Sequence, residues 1–275
     1  MIDRLAFPKD IREEILPAHV RSAKATNAGL WLDKYIVKQQ RDETTSRRDL
    51  VGEVSELPIP EVYNAFFDRW KTMLAVCNVQ TREARTKGRM IVGLGNESVL
   101  ETSISLHRTD GVPYIPGNAL KGLAASYTRL YLSEDEHWKK EGAYYKVIFG
   151  NTNDAGYMTF FDALYVPGTG YRGKAFYPDV ITVHHPDYYQ DKKDAAPTDR
   201  DNPNPVPFLS VTGTYLVALA APDFSQPNAW IAITFDILGR ALKTLGIGAK
   251  TSSGYGRMEL LENDLPKDKK KTRRR

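Results

Sequence analysis

The chain has 275 residues, of which 41% are hydrophobic, so it is long enough to bury a core as one domain with extensions or as two small domains. Its single cysteine, Cys77, excludes an internal disulfide and a site built from several thiolates. The longest apolar run, 215–221, is about a third of what a membrane span needs. The first residues show no apolar signal region, so the sequence predicts a cytoplasmic protein.

The net charge is concentrated at one end of the chain. The formal value is +4, but 267–275, KDKKKTRRR, holds seven basic residues and one acidic residue and carries +6, which leaves −2 for the rest. The body therefore lacks a long-range positive field that would gather nucleic acid, and it must bind any anion by local chemistry. The tail is either a solvated segment or a loose tether for a polyanion.

Residues 1–80 are predicted to form a mainly helical extension. The stretch 62–74, VYNAFFDRWKTML, places Val62, Phe66, Trp70 and Leu74 at helical spacing after a proline-rich stop. The polar segment 38–49 is predicted to be a linker or an exposed loop. The first 37 residues show no clear period.

Residues 81–262 alternate between strand and helix patterns, and 263–275 form the basic tail. Strands are predicted over 89–94, 100–106, 156–166, 180–183, 208–221 and 257–261. Helices are predicted over 118–132, with Asn118 as the N-cap, and over 228–245, closed by Gly246. This order predicts an α+β fold, a ferredoxin-like sandwich of the RNA-recognition type.

The segment 184–207 is rich in proline and charge and is predicted not to pack. At twenty-four residues it is too long for a passive connection, which indicates a functional insertion. His184 and His185 are adjacent and would point to opposite sides of an extended chain, so the sequence predicts no metal site and no cofactor. Tyr188 and Tyr189 can stack on bases or pack the root of the loop.

The start of the first predicted helix, PGNALKG at 116–122, carries a lysine in its first turn. That end of a helix is partly positive, so Lys121 is favourable there only when an anion lies between the lysine and the free N–H groups. Gly122 leaves the helix surface open. The alternative is that Lys121 is a solvated surface lysine.

The segment 246–256, GIGAKTSSGYG, holds four glycines, which permit positive φ and expose backbone N–H groups to an anion. It is not a nucleotide-binding P-loop, because Ala249 precedes Lys250 and the segment follows a helix. A helix-to-strand turn would explain Gly246 and at most one more glycine. Since this loop can lie near the first helix of such a sandwich, both segments are predicted to hold one phosphate-bearing strand.

These two segments resemble a known family. VPYIPGNALKGL at 112–123 and GIGAKTSSGYGRM at 246–258 are similar to the two signature motifs of the RAMP superfamily, the RNA-binding subunits of CRISPR effector complexes. VIFGN at 147–151, GYMTFFDA at 156–163 and the stretch from HHPDYY to FLSV make the chain similar to the sixth subunit of the Cmr-type (type III-B) effector.

The resemblance implies a non-catalytic subunit that grips the 3′ part of a guide RNA and caps the filament of subunits. Residues 184–207 match the inserted thumb of such subunits. The implied partners are guide (crRNA) and target RNA, the backbone subunit that cuts target RNA, a small helical subunit and another capping RAMP subunit. The predicted RNA-binding residues are Gly117, Asn118, Lys121, His184, His185, Tyr188, Gly246, Gly248, Lys250, Thr251, Ser252, Ser253, Gly254, Tyr255 and Gly256.

Two other functions stay open at this point. Some RAMP relatives are metal-independent endoribonucleases that mature guide RNA. The base, cation and acid for that reaction could come from His184, His185, Tyr188, Tyr189 and Lys250. Histidines on a long loop lack the precision that catalysis requires, so non-catalytic binding is favoured. The other alternative is a scaffold that contacts only protein.

Three carboxylates are assigned structural roles by the sequence. Asp110 and Asp154 lie in turn-forming sequence and are predicted to be turn residues. Asp162 lies within a predicted strand and is expected to be a hydrogen-bonded structural carboxylate.

Overall fold

The computed structural model describes residues 26–34, 44–98, 100, 102–183, 204–222 and 229–261. The helices in this part of the chain are α1 (Ala28–Lys34), α2 (Thr44–Ser55), α3 (Glu61–Val76), α4 (Gly117–Tyr131), α5 (Ala143–Phe149) and α6 (Ala229–Thr244). The strands are β1 (Gln80–Thr86), β2 (Tyr114–Ile115), β3 (Thr159–Phe160), β4 (Ala163–Tyr165), β5 (Phe176–Val183), β6 (Asn204–Val211), β7 (Thr214–Ala220) and β8 (Met258–Leu260). Helices and antiparallel strands are mixed along the chain, as the α+β class requires.

Six strands form one antiparallel sheet. Its order is β2-β4-β7-β1-β8, with β3 also paired to β7. The central strand β7 is buried along its whole length because β1, β3 and β4 pair with it and the core covers its faces. β2 and β8 are therefore the outermost strands of the sheet. The segment 116–122 follows β2, and the segment 246–256 precedes β8.

Helices α4 and α6 pack on each other and on this sheet. The buried side of α6 includes Phe235, Leu238 and Leu242, and the Arg82 guanidinium of β1 lies 4.8 Å from the centre of the Phe235 ring. The sequence placed both helices correctly to within one residue at either end, because their apolar residues repeat at a clear helical period.

The helices before β1 pack against the rest of the fold. The Tyr63 hydroxyl of α3 donates to the Tyr165 carbonyl oxygen at 2.7 Å, which joins this helix to β4. Two expectations for this region were wrong in detail. The buried stripe of α3 holds Tyr63, Phe67 and Leu74, whereas Val62 is exposed. The polar segment expected to be a linker contains the first turns of α2.

β5 and β6 form a separate two-stranded hairpin, in full register from Phe176–Val211 to Val183–Asn204. The residues 204–207 were expected to be unpacked and instead start β6. Pro205 and Pro207 are tolerated there because β5 is the strand that pairs with this end of β6, while the bridge from β6 to Met90 lies at its other end, at Val211, so the missing N–H groups are not needed for a second strand. The remainder of the predicted thumb, 184–203, lies outside the described residues.

The strands expected over 89–94 and 100–106 are not regular strands. Isolated bridges at Met90–Val211 and Leu106–Pro113 hold these segments instead. Alternating polar and apolar residues also suit an extended segment that is half-buried without a continuous ladder, which is the arrangement found here. None of the described helices is long and apolar enough to cross a membrane.

Candidate nucleic-acid interface

The segment Gly246–Gly256, which we call the glycine loop, connects α6 to β8. All four of its glycines have positive φ: 77° at Gly246, 86° at Gly248, 91° at Gly254 and 69° at Gly256. The predicted positive φ is therefore confirmed at each position. Lys250 also has a left-handed backbone, with φ of 57°, which costs an L-residue about 1–2 kcal/mol.

The chain's own backbone passes close to these glycines. A Cβ atom on Gly248 would lie 2.0 Å from the Ile91 carbonyl oxygen, and one on Gly256 would lie 1.9 Å from the Ile247 carbonyl oxygen. Gly246 closes α6. Internal packing thus requires three of the four glycines, more than the sequence analysis assigned to a structural turn. A Cβ on Gly254 would meet nothing within 4 Å.

The glycine loop leaves three successive backbone N–H groups free. The N–H of Ala249 donates to the Ile91 carbonyl oxygen at 2.8 Å, and the N–H of Gly256 donates to the Arg89 carbonyl oxygen at 2.9 Å. Among the described residues, the N–H groups of Lys250, Thr251 and Ser252 have no partner. Because left-handed Lys250 is followed by the 3₁₀ turn Thr251–Ser253, these N–H groups can line a concave anion-binding nest.

Basic side chains on the segment 85–89 lie beside the glycine loop. Besides the Gly256–Arg89 hydrogen bond, the Lys87 N–H donates to the Arg257 carbonyl oxygen at 2.8 Å. Arg85, Lys87 and Arg89 are all exposed. Sequence reasoning missed these cations, although their spacing of two residues in REARTKGR was a usable signal.

Asp179 ties the glycine loop to the β5–β6 hairpin. One carboxylate oxygen, Oδ2, accepts hydrogen bonds from Arg89 Nη1 at 2.7 Å, from the Tyr255 hydroxyl at 2.8 Å and from Ser210 Oγ at 3.2 Å. Burial, together with the bond to Asp179 and its charge, raises the pKa of Tyr255 to about 12. The phenol therefore stays a donor at neutral pH and holds the loop against the base of the hairpin.

The start of α4 is arranged differently. The Gly117 N–H donates to Asp162 Oδ1 at 2.7 Å, so an internal carboxylate already occupies the positive end of this helix. Pro116 is the N-cap, and the prediction of Asn118 as the cap was wrong. Asp162 is the hydrogen-bonded structural carboxylate that the sequence suggested. Lys121 is half-buried.

The two segments do not converge on one phosphate. The helix start follows β2 and the glycine loop precedes β8, and these are the two outermost strands of the sheet. Four steps of about 4.8 Å separate them across the sheet, or about 19 Å. Within the described residues no hydrogen bond joins 117–122 to 246–256. Shared contact with one RNA strand stays a prediction and would involve phosphates several nucleotides apart.

The other residues singled out by sequence fall into two groups. His184, His185 and Tyr188 lie outside the described residues. Asp110 and Asp154 lie in turns, as expected: Asp110 Oδ2 is 2.8 Å from His107 Nδ1, and the Asp154 N–H donates to Asn151 Oδ1 at 2.7 Å. In the part of the chain that the structure describes, no group of three or more His, Cys, Asp or Glu side chains could hold a metal ion.

The comparisons with known proteins agree on one family. The model of the RAMP superfamily matches residues 83–259. "CRISPR system Cmr subunit Cmr6" of Pyrococcus furiosus is 30% identical over 251 residues, covering 72% of this chain and 73% of that protein. "CRISPR system CMR subunit Cmr6" of Saccharolobus solfataricus is 28% identical over 209 residues, covering 73% of this chain and 65% of that protein.

A solved structure shares the fold. A chain of "Cryo-EM structure of the Type III-B Cmr-beta bound to cognate target RNA" aligns with a TM-score of 0.61 at 22% identity, covering 92% of this chain and 94% of that one. The family match spans both segments from which the resemblance was drawn, 112–123 and 246–258. This chain therefore belongs to the RAMP superfamily, and its curated relatives are Cmr6 subunits.

Proposed function

We propose that this chain is a non-catalytic RNA-binding subunit of a type III-B CRISPR ribonucleoprotein that targets foreign RNA. It grips the phosphate backbone of the 3′ part of the guide RNA and caps the filament of subunits. The observation that carries the proposal is the run of three N–H groups at Lys250–Ser252, which have no partner among the residues that the structure describes and lie beside the exposed cations of 85–89.

The chemistry of this nest suits phosphate rather than bases. Backbone N–H groups and cations contact phosphate oxygens without reading sequence, which a subunit that carries many different guides requires. Lys250 adds a cation, and the hydroxyl groups of Ser252 and Ser253 are exposed next to it. Because the body of the chain has little net charge, this local cluster supplies the attraction.

The topology supports the finer fold assignment. Four strands, β1, β4, β7 and β8, lie side by side in the order β4-β7-β1-β8. Along the chain, α4 lies between β1 and β4, and α6 lies between β7 and β8. That is the order of a ferredoxin-like sandwich, with 81–262 as the RNA-binding domain and 1–80 as its helical extension. We propose that the β5–β6 hairpin carries the thumb, since 184–203 connects its two strands.

The relatives support the partners. Two of them are named as subunits of a CRISPR Cmr system, and a chain of similar fold belongs to an assembly bound to target RNA. We propose guide and target RNA, the target-cutting backbone subunit, a small helical subunit and another capping RAMP subunit as partners of this chain. The glycine loop would contact the guide, and the thumb would contact the guide–target duplex.

RNA affinity of three lysine variants tests the proposal. Lys250→Ala should weaken binding of a fluorescein-labelled single-stranded RNA by about tenfold, which is about 1.4 kcal/mol. It should also reduce the slope of log K against log salt by about 0.7. Lys121→Ala should have a smaller effect, because Asp162 already occupies the helix start. Fluorescence anisotropy measures both quantities.

Lys140→Ala is the matched control. Lys140 is exposed and lies two residues after Trp138. The Trp138 ring contacts Tyr144, which in turn contacts Trp230 at the start of α6. The glycine loop follows the opposite end of this helix, about 24 Å away along its axis. If Lys250→Ala binds RNA as tightly as Lys140→Ala, the glycine loop is not the RNA-binding site. Cleavage of repeat-derived RNA by the purified chain without metal would instead favour the endoribonuclease alternative.

A further inference from the structure

A groove lies beside the glycine loop, on the other side of the segment 85–89. Its volume is about 350 Å³, which is within the range of small-ligand sites. Among the lining residues that the structure describes, three are basic, two are aromatic and none is acidic. The residues that the argument uses are Arg85, Lys87, Arg89, Tyr171, Tyr177 and Thr212.

The floor of the groove is held rigidly. The Thr86 N–H donates to the Gly213 carbonyl oxygen at 2.9 Å, and the Gly213 N–H donates to Thr86 Oγ1 at 3.0 Å. The Tyr171 N–H donates to Thr212 Oγ1 at 3.0 Å, which fixes the turn that carries the aromatic wall. The groove is therefore preformed, and its residues would lose little conformational entropy when a ligand binds.

The aromatic wall is open to solvent and flanked by guanidinium groups. Tyr171 is 59% exposed, and its ring centre lies 6.3 Å from that of Tyr177. The guanidinium carbon of Arg172 is 5.2 Å from the Tyr171 ring centre, and that of Arg89 is 5.2 Å from the Tyr177 ring centre. Tyr171 is exposed and Tyr177 is half-buried, and tyrosines next to arginines form the kind of surface on which unpaired bases stack.

Backbone strain marks the same turn. In the described part of the chain three residues other than glycine have positive φ, namely Asn78, Arg172 and Lys250. Asparagine tolerates this conformation, whereas arginine and lysine do so at a cost of about 1–2 kcal/mol that glycine would avoid. Such strain is commonly stored where a side chain is needed for function. Both strained cations flank the surface formed by the glycine loop and the groove.

We propose that this groove binds one nucleotide of a single-stranded RNA, with its base stacked on Tyr171 and its phosphate between Arg85 and Lys87. The inference rests on the proposed function and extends it to a second contact. The hydrogen bonds from Gly256 to Arg89 and from Lys87 to Arg257 join the groove to the glycine loop, so one strand can cross both. The described lining, with three basic residues, two tyrosines and no acidic residue, favours RNA over a peptide partner.

Variants of Tyr171 test the stacking contact. In the full-length chain, Tyr171→Ala should weaken binding of a labelled single-stranded RNA by about fivefold to a hundredfold, the effect of losing one base–aromatic stack. Tyr171→Phe should bind like the wild type because it keeps the ring. Tyr131→Ala is the matched control, since Tyr131 is 52% exposed on α4 and lies outside the groove.

The salt dependence separates stacking from charge. Tyr171→Ala should leave the slope of log K against log salt unchanged, whereas Lys87→Ala should reduce it by about 0.7. Photocrosslinking with RNA that contains 4-thiouridine should label Tyr171 or Tyr177 in the wild type. Thermal melts of each variant check that the fold is intact, which is expected because the Tyr171 side chain is largely exposed.

The outcomes distinguish this inference from the proposed function. If the wild-type chain binds no RNA, both fail. If Lys250→Ala weakens binding but Tyr171→Ala and Lys87→Ala do not, the groove assignment is overturned and the glycine loop stands. If the groove instead binds a poly-glutamate peptide in a way that depends on Tyr171, while RNA affinity is unaffected by the substitution, the groove is a protein-binding site and the inference is wrong.

Discussion

The glycine loop and the start of α4 look alike in sequence and differ in structure. In sequence, each segment combines glycine and a lysine with a helix end or a turn, where backbone N–H groups are expected to be exposed. In the glycine loop, three successive N–H groups of the described chain have no partner. At the start of α4, the Gly117 N–H is bound to the Asp162 carboxylate. Glycine and lysine content therefore does not define an anion site; the availability of donors does.

The surroundings of the two segments reinforce this difference. The glycine loop is adjacent to the exposed cations of 85–89; Asp179 pairs with Arg89, so Arg85 and Lys87 are the cations that a bound phosphate would meet. The helix start faces Asp162, which would repel a phosphate and compete for the same donors. We infer that the first segment is the stronger phosphate site and the second a weaker contact at best.

The largest expected effect concerns the glycines of the loop. Gly248→Ala should destabilise the protein by about 3 kcal/mol or more, because its φ is positive and its new Cβ would overlap the Ile91 carbonyl oxygen. Gly254→Ala should cost only about 1 kcal/mol, since it meets the strain of positive φ alone. Urea unfolding measures both. Equal losses would mean that the loop is not held against 89–92.

Asp162 tests the helix start. Asp162→Ala should cost about 1–2 kcal/mol of unfolding free energy, as the loss of a helix cap does, and Asp162→Asn should cost less because its amide oxygen can still accept. Asp236→Ala is a control: its pair with Arg240 is exposed to solvent, so its loss should cost clearly less than the loss of Asp162. Much tighter RNA binding by Asp162→Asn would break the comparison, because it would show that the helix start is a strong phosphate site once its charge is removed.

The sequence located elements whose pattern is strong and local. α3, α4 and α6 were placed to within two residues because apolar residues recur along each at a helical period. The segment 89–94 was misread because a run of apolar residues records only that the segment is buried, not which chain pairs with it. Met90 finds its partner at Val211, far along the chain, and no local pattern encodes that choice.

The same distinction applies to the site. The glycine loop was found because its four glycines lie within eleven residues. The contacts that decide its function were missed because they are long-range: Asp162 caps a helix that begins 45 residues earlier, and Asp179 binds Tyr255 across 76 residues. Asp162 lies in the connection between β3 and β4, and its local sequence gives no sign of the helix it binds, so only the fold could reveal that the start of α4 is occupied.

The smallest effect expected is a titration that reports how firmly the glycine loop is anchored. The pKa of Tyr255 is raised from its ordinary 10 to about 12, first by burial and then by the bond to Asp179 and its charge. The contribution of this phenol to stability is therefore complete below pH 10 and is lost as the pH rises through about 12. The difference in phenolate absorbance between the wild type and Tyr255→Phe isolates this one group.

That difference should titrate near pH 12, and in an Asp179→Asn background its midpoint should fall towards 10, because the neighbouring negative charge is gone. A wild-type midpoint near 10 would mean that Tyr255 is not bound to Asp179 in solution. The loop would then be free to move relative to the hairpin and to Arg89, and its three N–H groups would have to be ordered by the RNA itself. In that case the advantage of the glycine loop over the helix start would come from charge alone, not from a preformed nest.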